Sequence, residues 1–285
     1  MTLVSSKQIL LDAYHNHYAV GAFNCNNMEI VQGIIAAAAQ ERAPVIIQAS
    51  QGALKYAGLE YIVALIRTAA AEYPEVPLVM HLDHGTDFAQ VLACMEAGFT
   101  SVMIDASKLP MAENIDLTRK IVEIAHPKGI SVEAEIGKIG GTEDQVSVSE
   151  KEAAYTDPQE AVEFVRATGC DSLAVAVGTA HGQYVGPVKL NYDLLEQIHQ
   201  QVEIPIVLHG SSGVPAEMLR EAITRGVSKV NIDTDLRAAF VNKIHQVLQE
   251  NPDEIDPRLV LGPARAALQE VVAEKIRIFG SNDKI

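Results

Sequence analysis

Several features that mark other classes of protein are scarce or missing in this sequence of 285 residues. Its three cysteines, Cys25, Cys94 and Cys170, are odd in number and widely spaced, so they form neither a disulfide framework nor a CxxC motif. We interpret them as small apolar core residues. No apolar run approaches the ~20 residues that a membrane span requires, so no transmembrane segment is expected.

Positive charge is also scarce, with 22 Lys and Arg against 37 Asp and Glu and a net charge of −15. Nucleic acids and anionic membranes are bound chiefly through Lys and Arg, so neither is expected as a partner. The first seven residues lack the basic start and the long apolar centre of a signal peptide. We therefore expect a cytoplasmic protein.

What the sequence does contain is a regular alternation of strand-like and helix-like segments. The predicted strands are 19–23, 45–49, 77–85, 101–104, 131–136, 172–177, 205–208 and 229–232. Amphipathic segments separate them, with apolar residues at i, i+3, i+4 and i+7, as at Val31, Ile34, Ile35 and Ala38. Eight such units indicate a (β/α)8 TIM barrel, and an open doubly wound sheet is less favoured because no GxGxxG loop follows the first strand.

The length would also allow two ordinary domains, but barrels commonly use it for one, and no linker interrupts the chain. We therefore predict a single catalytic barrel domain over residues 1–285. Residues 251–285 exceed what a barrel needs. They contain a polar turn and a last helix predicted from about Pro263, and we expect this C-terminal helical extension to lie at an oligomer interface.

Polar side chains accumulate at the predicted C-terminal strand ends, where barrels place their active sites. They are His81, Asp83, His84, Asp105, Glu133, Glu135, His181 and His209. Each alone has a structural explanation, but together they provide the nitrogen and oxygen ligands that zinc takes in catalytic sites. The pattern predicts a metal site at the barrel mouth.

A second polar group follows the last two strands, at the position where barrels often bind phosphate. It consists of Gly210, Ser211, Ser212 and Gly213, with Asn231, Asp233 and Thr234. Glycines allow backbone N–H groups to approach an anion, and hydroxyls add donors. The alternative is an ordinary βα turn, and the location favours phosphate.

Taken together, these motifs resemble those of the class II, metal-dependent ketose-bisphosphate aldolases, nearly end to end. The motifs that carry the resemblance are AFN (22–24), HLDHG (81–85), VMIDAS (102–107), VEAEIG (132–137), GGTED (140–144), HG (181–182), HGSSG (209–213), NIDT (231–234) and DPR (256–258). The resemblance implies a TIM barrel that cleaves fructose 1,6-bisphosphate reversibly into dihydroxyacetone phosphate and glyceraldehyde 3-phosphate, through a zinc-stabilised enediolate.

The resemblance also implies roles for individual residues. The catalytic zinc corresponds to His84, His181 and His209, and a second metal position to Asp105 and Glu135. Asp83 matches the group that transfers the proton of the C4 hydroxyl, and Glu143 matches the acid that acts at C3. Substrate contacts map to Ser50, Gly182, Gly210, Ser211, Ser212, Asn231, Asp233 and Thr234.

Further implications concern the assembly. Arg258 matches an arginine that the family contributes to the neighbouring subunit's site, which implies a homodimer or homotetramer. Some members also bind a monovalent cation near the glycines of the sixth and seventh loops. Position 142 is threonine where some relatives have a second acid, and tagatose 1,6-bisphosphate or a related phosphoketose is the alternative substrate.

Aldol cleavage requires either a lysine Schiff base or a metal. No lysine is predicted at an apolar strand end, and Lys229 is predicted to begin a strand, so the metal route is favoured. The side chains of Asp83 and His84 must point in different directions for one to transfer a proton and the other to bind metal, and we expect Gly85 to permit the backbone bend that this requires. The alternative role for Asp83 is to orient a zinc ligand. A barrel metallohydrolase and a non-catalytic barrel are the rival functions.

Overall fold

A computed structural model describes residues 3–143, 146–148, 154–182, 184 and 186–285 of the chain. Within these residues the strands are β1 (Val20–Asn24), β2 (Val45–Ser50), β3 (Leu78–Gly85), β4 (Ser101–Ile104), β5 (Ser131–Ile136), β6 (Gly140–Glu143), β7 (Val146–Val148), β8 (Ser172–Val175), β9 (Ala180–His181), β10 (Ile206–Leu208) and β11 (Val227–Ile232).

Eight of these strands close into a parallel barrel in the order β1-β11-β10-β8-β5-β4-β3-β2. The predicted (β/α)8 barrel is confirmed. Strands 101–104 and 131–136 coincide with the prediction, whereas the sixth barrel strand ends at Val175 instead of Val177. The prediction that Lys229 begins a strand is wrong, because β11 begins two residues earlier, at Val227.

Helices surround the barrel, and a side chain caps the N-terminus of six of them. The helices are α1 (Ser6–Asn16), α2 (Met28–Gln40), α3 (Gln51–Ala57), α4 (Leu59–Glu72), α5 (Phe88–Ala97), α6 (Met111–Ala125), the 3-10 turn η1 (His126–Lys128), α7 (Pro158–Thr168), α8 (Tyr192–Val202), α9 (Ala216–Thr224), α10 (Thr234–Glu250) and α11 (Pro257–Phe279). Asn27, Asp87 and Asp157 each accept a hydrogen bond from a backbone N–H of the following helix.

Two apolar clusters hold these elements together. The larger one lies between the outer face of the barrel and the helices. The smaller one joins the first residues of the inner face, Val20, Ile46 and Val79, to Leu10 and Ala13 of α1. Helix α1 therefore closes the N-terminal end of the barrel, where Ser6 Oγ also lies 2.9 Å from Ser101 Oγ at the start of β4.

The loops after β5 and β8 form a small sheet in the order β7-β6-β9. Gly141 of β6 pairs with His181 of β9, so His181 is placed by a short strand and not by an irregular loop. This pairing links two βα loops, which sequence periodicity did not predict.

Helix α11 begins at Pro257, six residues before the predicted start, because Asp256 caps it by accepting from the Arg258 backbone N–H. Leu268, Val272 and Ile276 of this helix are fully buried, and the helix packs on α2 and α10. The single-domain boundary and the interface role of residues 251–285 stay predictions.

Among the described residues, no helix combines the length and the apolar content that a bilayer crossing needs. All three cysteines are unpaired and buried, and burial raises the pKa of each thiol to about 12. Their interpretation as core residues agrees with this.

Candidate metal centre and anion site

The barrel strands alternate between an apolar outer face and an inner face that is polar near the mouth. In β3, Met80 and Leu82 belong to the outer apolar cluster, so His81 and Asp83 point into the barrel. The same alternation directs further polar residues inward, namely Gln48, Ser101, Glu133, Glu135, His209, Lys229 and Asn231. All are buried, so each polar group needs a partner inside the barrel.

His84 turns towards the same mouth although it follows the inward-facing Asp83. Its φ is +46°, in the left-handed region that costs a non-glycine residue roughly 1–2 kcal/mol. The bend expected at Gly85 is therefore located at His84 itself. Gly85 has another role, because a Cβ there would lie 2.5 Å from the Met103 carbonyl oxygen of β4.

His84 and His209 are each anchored by a buried carboxylate. His84 Nδ1 lies 2.9 Å from Asp105 Oδ2, and His209 Nε2 lies 2.9 Å from Glu133 Oε1. If both imidazoles are neutral, each ring carries its single proton on the nitrogen that contacts the carboxylate, because an ionised carboxylate can only accept a hydrogen bond. The other nitrogens, His84 Nε2 and His209 Nδ1, then lie 3.0 Å apart with their lone pairs directed at each other.

Two converging lone pairs at that distance repel unless a cation or a proton lies with them, and burial lowers the pKa of His209, which disfavours the proton. His181 completes the group: its ring centroid lies 5.0 Å from that of His84 and 5.9 Å from that of His209. One ligand atom from each of the three lies within 4.8 Å of the others. This donor set fits a zinc ion.

A second group of ligand atoms shares His84 and adds Asp105 and Glu135, again within 4.8 Å of one another. Glu135 Oε2 is buried without a hydrogen-bond partner. Burial, and then the negative charge of Asp105, raise the pKa of Glu135 well above its usual value. A cation at this position would satisfy both carboxylates, so the residues fit the predicted second metal position.

Asp83 is held by three amide groups. Asn24 Nδ2 and Gln48 Nε2 donate to Oδ2 at 2.8 and 2.9 Å, and Asn231 Nδ2 donates to Oδ1 at 3.2 Å. Each of these three hydrogen bonds comes from an amide. The amides therefore fix the orientation of this carboxylate, whereas Asp105 and Glu133 are the carboxylates that lie 2.9 Å from His84 and His209.

The predicted anion loop lies against the start of α10. Ser212 Oγ accepts from the backbone N–H groups of Asp233 and Asp235 at 3.2 and 3.3 Å. Gly210 has φ +61°, and a Cβ there would lie 2.6 Å from the Ala180 backbone. The close approach of the β8 and β10 loops thus requires this glycine independently of any ligand.

The other predicted substrate residues are distributed around the same rim. Ser50 caps α3 by accepting from the Ala53 N–H, and it lies beside Asp83 in the β2–β3 register. Asp233 forms an ion pair with Arg237, and Thr234 is the first residue of α10. Gly182 follows directly after His181.

Of the predicted residues whose side chains the structure describes, Arg258 is not brought to this group. The Arg258 side chain is 88% exposed and pairs with Asp256 at the start of α11. Glu143 ends β6, and its side chain lies outside the part of the chain that the structure describes, as does that of Thr142.

No role was predicted for Gln48 or Lys229, Asn24 was predicted only as part of a motif, and Glu133 only as one of the polar residues at the strand ends. The signal that could have found them is the i, i+2 spacing of polar residues inside apolar strands, as in Glu133 and Glu135, or Lys229 and Asn231. Lys229 was missed because its strand was predicted to start too late.

Comparison with known proteins gives a consistent result. Residues 4–284 match the family described as fructose-bisphosphate aldolase class-II. A fructose-bisphosphate aldolase of Geobacillus stearothermophilus is 45% identical over 286 residues, covering 100% of this chain and 99% of that protein. The D-tagatose-1,6-bisphosphate aldolase subunit GatY of Klebsiella oxytoca is 43% identical over 285 residues, covering 100% of both. The crystal structure of the YdjI aldolase from Escherichia coli K12 superposes with a TM-score of 0.86 at 35% identity, covering 99% of each chain.

Proposed function

The chain belongs to the class II fructose-bisphosphate aldolase family, and from this premise we propose that it interconverts fructose 1,6-bisphosphate with dihydroxyacetone phosphate and glyceraldehyde 3-phosphate. The observation that carries the proposal is the convergence of three buried imidazoles beside the amide-held carboxylate of Asp83. Membership in an aldolase family favours a lyase over a metallohydrolase or a non-catalytic barrel.

His84, His181 and His209 would hold the metal, with zinc as the expected ion. When bound, a divalent zinc supplies a Lewis acid that polarises the substrate carbonyl. Asp105 and Glu133 keep His84 and His209 turned so that His84 Nε2 and His209 Nδ1 face inward. Asp105 and Glu135 would hold an ion at the second position, and a monovalent cation near Gly182 and Gly210 is a further proposal.

Asp83 would move the proton of the cleavage step. As the C3–C4 bond breaks, its carboxylate takes the proton of the C4 hydroxyl, C4 becomes the aldehyde of glyceraldehyde 3-phosphate, and the bonding electrons remain on the three-carbon fragment. That fragment then needs a proton at C3 to become dihydroxyacetone phosphate, which we assign to Glu143. General acid–base groups of this kind contribute about 10²–10⁴-fold in rate.

The phosphate groups would be bound at the rim. The 210–213 loop and the start of α10 offer backbone N–H groups and the hydroxyls of Ser211, Ser212 and Thr234 at a helix N-terminus. Ser50, Asn231 and Asp233 complete the substrate contacts. A second copy of the chain would add Arg258, whose side chain is exposed and forms an ion pair with Asp256.

The choice of sugar has one serious alternative, because a relative named as a tagatose-bisphosphate aldolase subunit is 43% identical over its full length. A coupled assay that compares cleavage of fructose 1,6-bisphosphate and tagatose 1,6-bisphosphate decides between them. We expect fructose 1,6-bisphosphate to give the higher kcat/KM, with both activities lost in chelator. A higher kcat/KM for tagatose 1,6-bisphosphate would assign the alternative, and activity that resists chelation would contradict the metal mechanism.

A further inference from the structure

A layer of charged side chains lies inside the barrel directly beneath the imidazoles. Lys229, Glu133 and His81 come from three different strands, and each is at most 1% exposed. Lys229 Nζ donates to Glu133 Oε2 at 2.7 Å and lies 3.4 Å from His81 Nε2. Ion pairs are costly to desolvate, so an isolated pair at this depth is a poor way to stabilise a fold.

Glu133 connects this layer to the metal centre. Its Oε1 accepts from His209 Nε2 at 2.9 Å, while its Oε2 accepts from Lys229. Both carboxylate oxygens are therefore occupied, one by a metal-site imidazole and the other by a buried cation. The contact with Oε1 places the His209 proton on Nε2, which leaves Nδ1 as the atom directed at His84.

Lys229 acts on Glu133 through its charge. The Lys229 ammonium lies 2.7 Å from Glu133 Oε2, and the two side chains are 0% and 1% exposed, so it offsets the buried negative charge and holds that carboxylate oxygen in place. His81 does not take a proton in place of Lys229, because burial and then the Lys229 charge keep its pKa well below the usual value. Its Nδ1 is engaged by Ser101 Oγ at 2.8 Å.

We infer that Glu133 and Lys229 are positioning residues for the metal ligand His209: Lys229 keeps Glu133 a fixed acceptor, and Glu133 holds the His209 ring in the orientation and tautomer that bind the metal. The inference rests on the proposed metal function of the three imidazoles. It adds two residues, neither of which touches metal or substrate, to the machinery of the site.

The test is metal affinity and not turnover. Zinc-free protein is titrated with Zn²⁺ against a chromophoric chelator, for the wild type and for Glu133→Gln, Lys229→Met and the neutral double variant Glu133→Gln/Lys229→Met. Partners of this kind typically change metal affinity 10–100-fold, so we expect each variant to bind Zn²⁺ at least tenfold more weakly. The absorption spectrum of bound Co²⁺ should also change, because the His209 ligand is no longer fixed.

Lys275→Met is the matched control. Lys275 is another largely buried lysine in an ion pair, 2.6 Å from Asp235, and its removal should leave the Zn²⁺ affinity unchanged. Thermal unfolding of each zinc-free variant establishes that it is folded. If Lys229→Met does not fold, the test rests on the Zn²⁺ affinities of Glu133→Gln, which keeps the shape of the side chain, and of the neutral double variant.

Wild-type Zn²⁺ affinity in folded Glu133→Gln and in the double variant would overturn the inference and leave the proposed function standing. The same loss of affinity in Lys275→Met would also overturn it, since the effect would then be general destabilisation. A wild-type protein that binds no Zn²⁺ would overturn the inference together with the proposed metal function, whereas wild-type binding without aldol cleavage would contradict the proposed function alone.

Discussion

Two neighbouring residues at the end of β3 have different tasks because the backbone turns between them. Asp83 points into the barrel onto three amides, and His84, in a left-handed conformation, presents its imidazole to the mouth. Such a conformation is retained only where the surroundings hold it, here through the 2.9 Å contact with Asp105. The proton transfer proposed for Asp83 and the metal binding proposed for His84 are thereby separated between two adjacent residues.

The first prediction follows from this separation. Asp83→Ala should retain stoichiometric zinc, because the hydrogen bonds that hold Asp83 come from amides, but should lose cleavage by about 10²–10⁴-fold. Zinc content by atomic absorption and kcat by the coupled assay measure the two effects. Loss of zinc along with activity would instead give Asp83 the role of orienting a ligand.

The second prediction concerns pH. Burial, and then the charge of Lys229, lower the pKa of His81 well below its usual value of about 6.5. The unfolded chain therefore takes up a proton on His81 that the folded chain does not, so the folded state loses up to ~1.4 kcal/mol for each pH unit below about 6.5. Above that pH, the protonation of His81 does not reduce the free energy of unfolding, and below it the free energy of unfolding falls as the pH is lowered.

Urea unfolding of zinc-free protein between pH 5 and 8 measures this dependence. His81→Asn, whose amide can keep the contact with Ser101, should show a shallower loss of stability on acidification. Equal slopes in the two proteins would exclude His81 as a source of the pH dependence, and would leave His209, whose pKa burial also lowers, as the source.

Strand-end positions predicted which polar residues gather at one mouth, because in a barrel all such ends meet there, and the resemblance to the aldolase family singled out His84, His181 and His209 among them. The contacts by which Asp105 and Glu133 anchor two of these histidines could not be predicted. Whether Glu133 faces a histidine or solvent depends on the stagger between neighbouring strands, which the sequence does not show. Lys229 was predicted to begin its strand because the polar residue Ser228 interrupts the apolar run before it.

At the scale of elements, β3 and β4 approach so closely that they require a glycine. We predict that Gly85→Ala lowers the free energy of unfolding by about 1–3 kcal/mol, since its Cβ would lie 2.5 Å from the Met103 carbonyl oxygen. Urea unfolding checks this. If there were space for the methyl group, Gly85→Ala would instead raise the free energy of unfolding by about 0.4–1 kcal/mol, because alanine lowers the conformational entropy of the unfolded chain. A more stable variant would therefore contradict the close approach of β3 and β4.

Strand positions were predictable to within about two residues because barrel strands are short apolar runs bounded by polar or glycine residues. The three-stranded sheet above the mouth was not predictable, because β9 has only two residues and its pairing with β6 is a tertiary contact. The start of α11 was missed for a local reason: Asp256 caps a helix whose internal Pro263 looked like its first residue.

At the scale of the whole molecule, the exposed Arg258 is expected to act in a second copy of the chain. Arg258→Ala should leave stability within about 0.5 kcal/mol of the wild type, because the side chain is 88% exposed, but should raise KM for the bisphosphate. Unfolding curves and initial rates measure the two quantities.

Mixing two weakly active variants tests the sharing of this residue between subunits. A hybrid of Asp83→Ala and Arg258→Ala chains has one site with both residues intact, so co-refolded mixtures should recover activity that neither variant has alone. A mixture no more active than the average of its components would contradict a shared site.

The central claim is that His84, His181 and His209 form the metal site of an aldolase. Anomalous diffraction at the zinc absorption edge, from crystals of protein purified in active form, tests it most directly. One strong peak is expected about 2.0–2.1 Å from His84 Nε2, His209 Nδ1 and a ring nitrogen of His181. A fully active protein with no peak among these three imidazoles would contradict it.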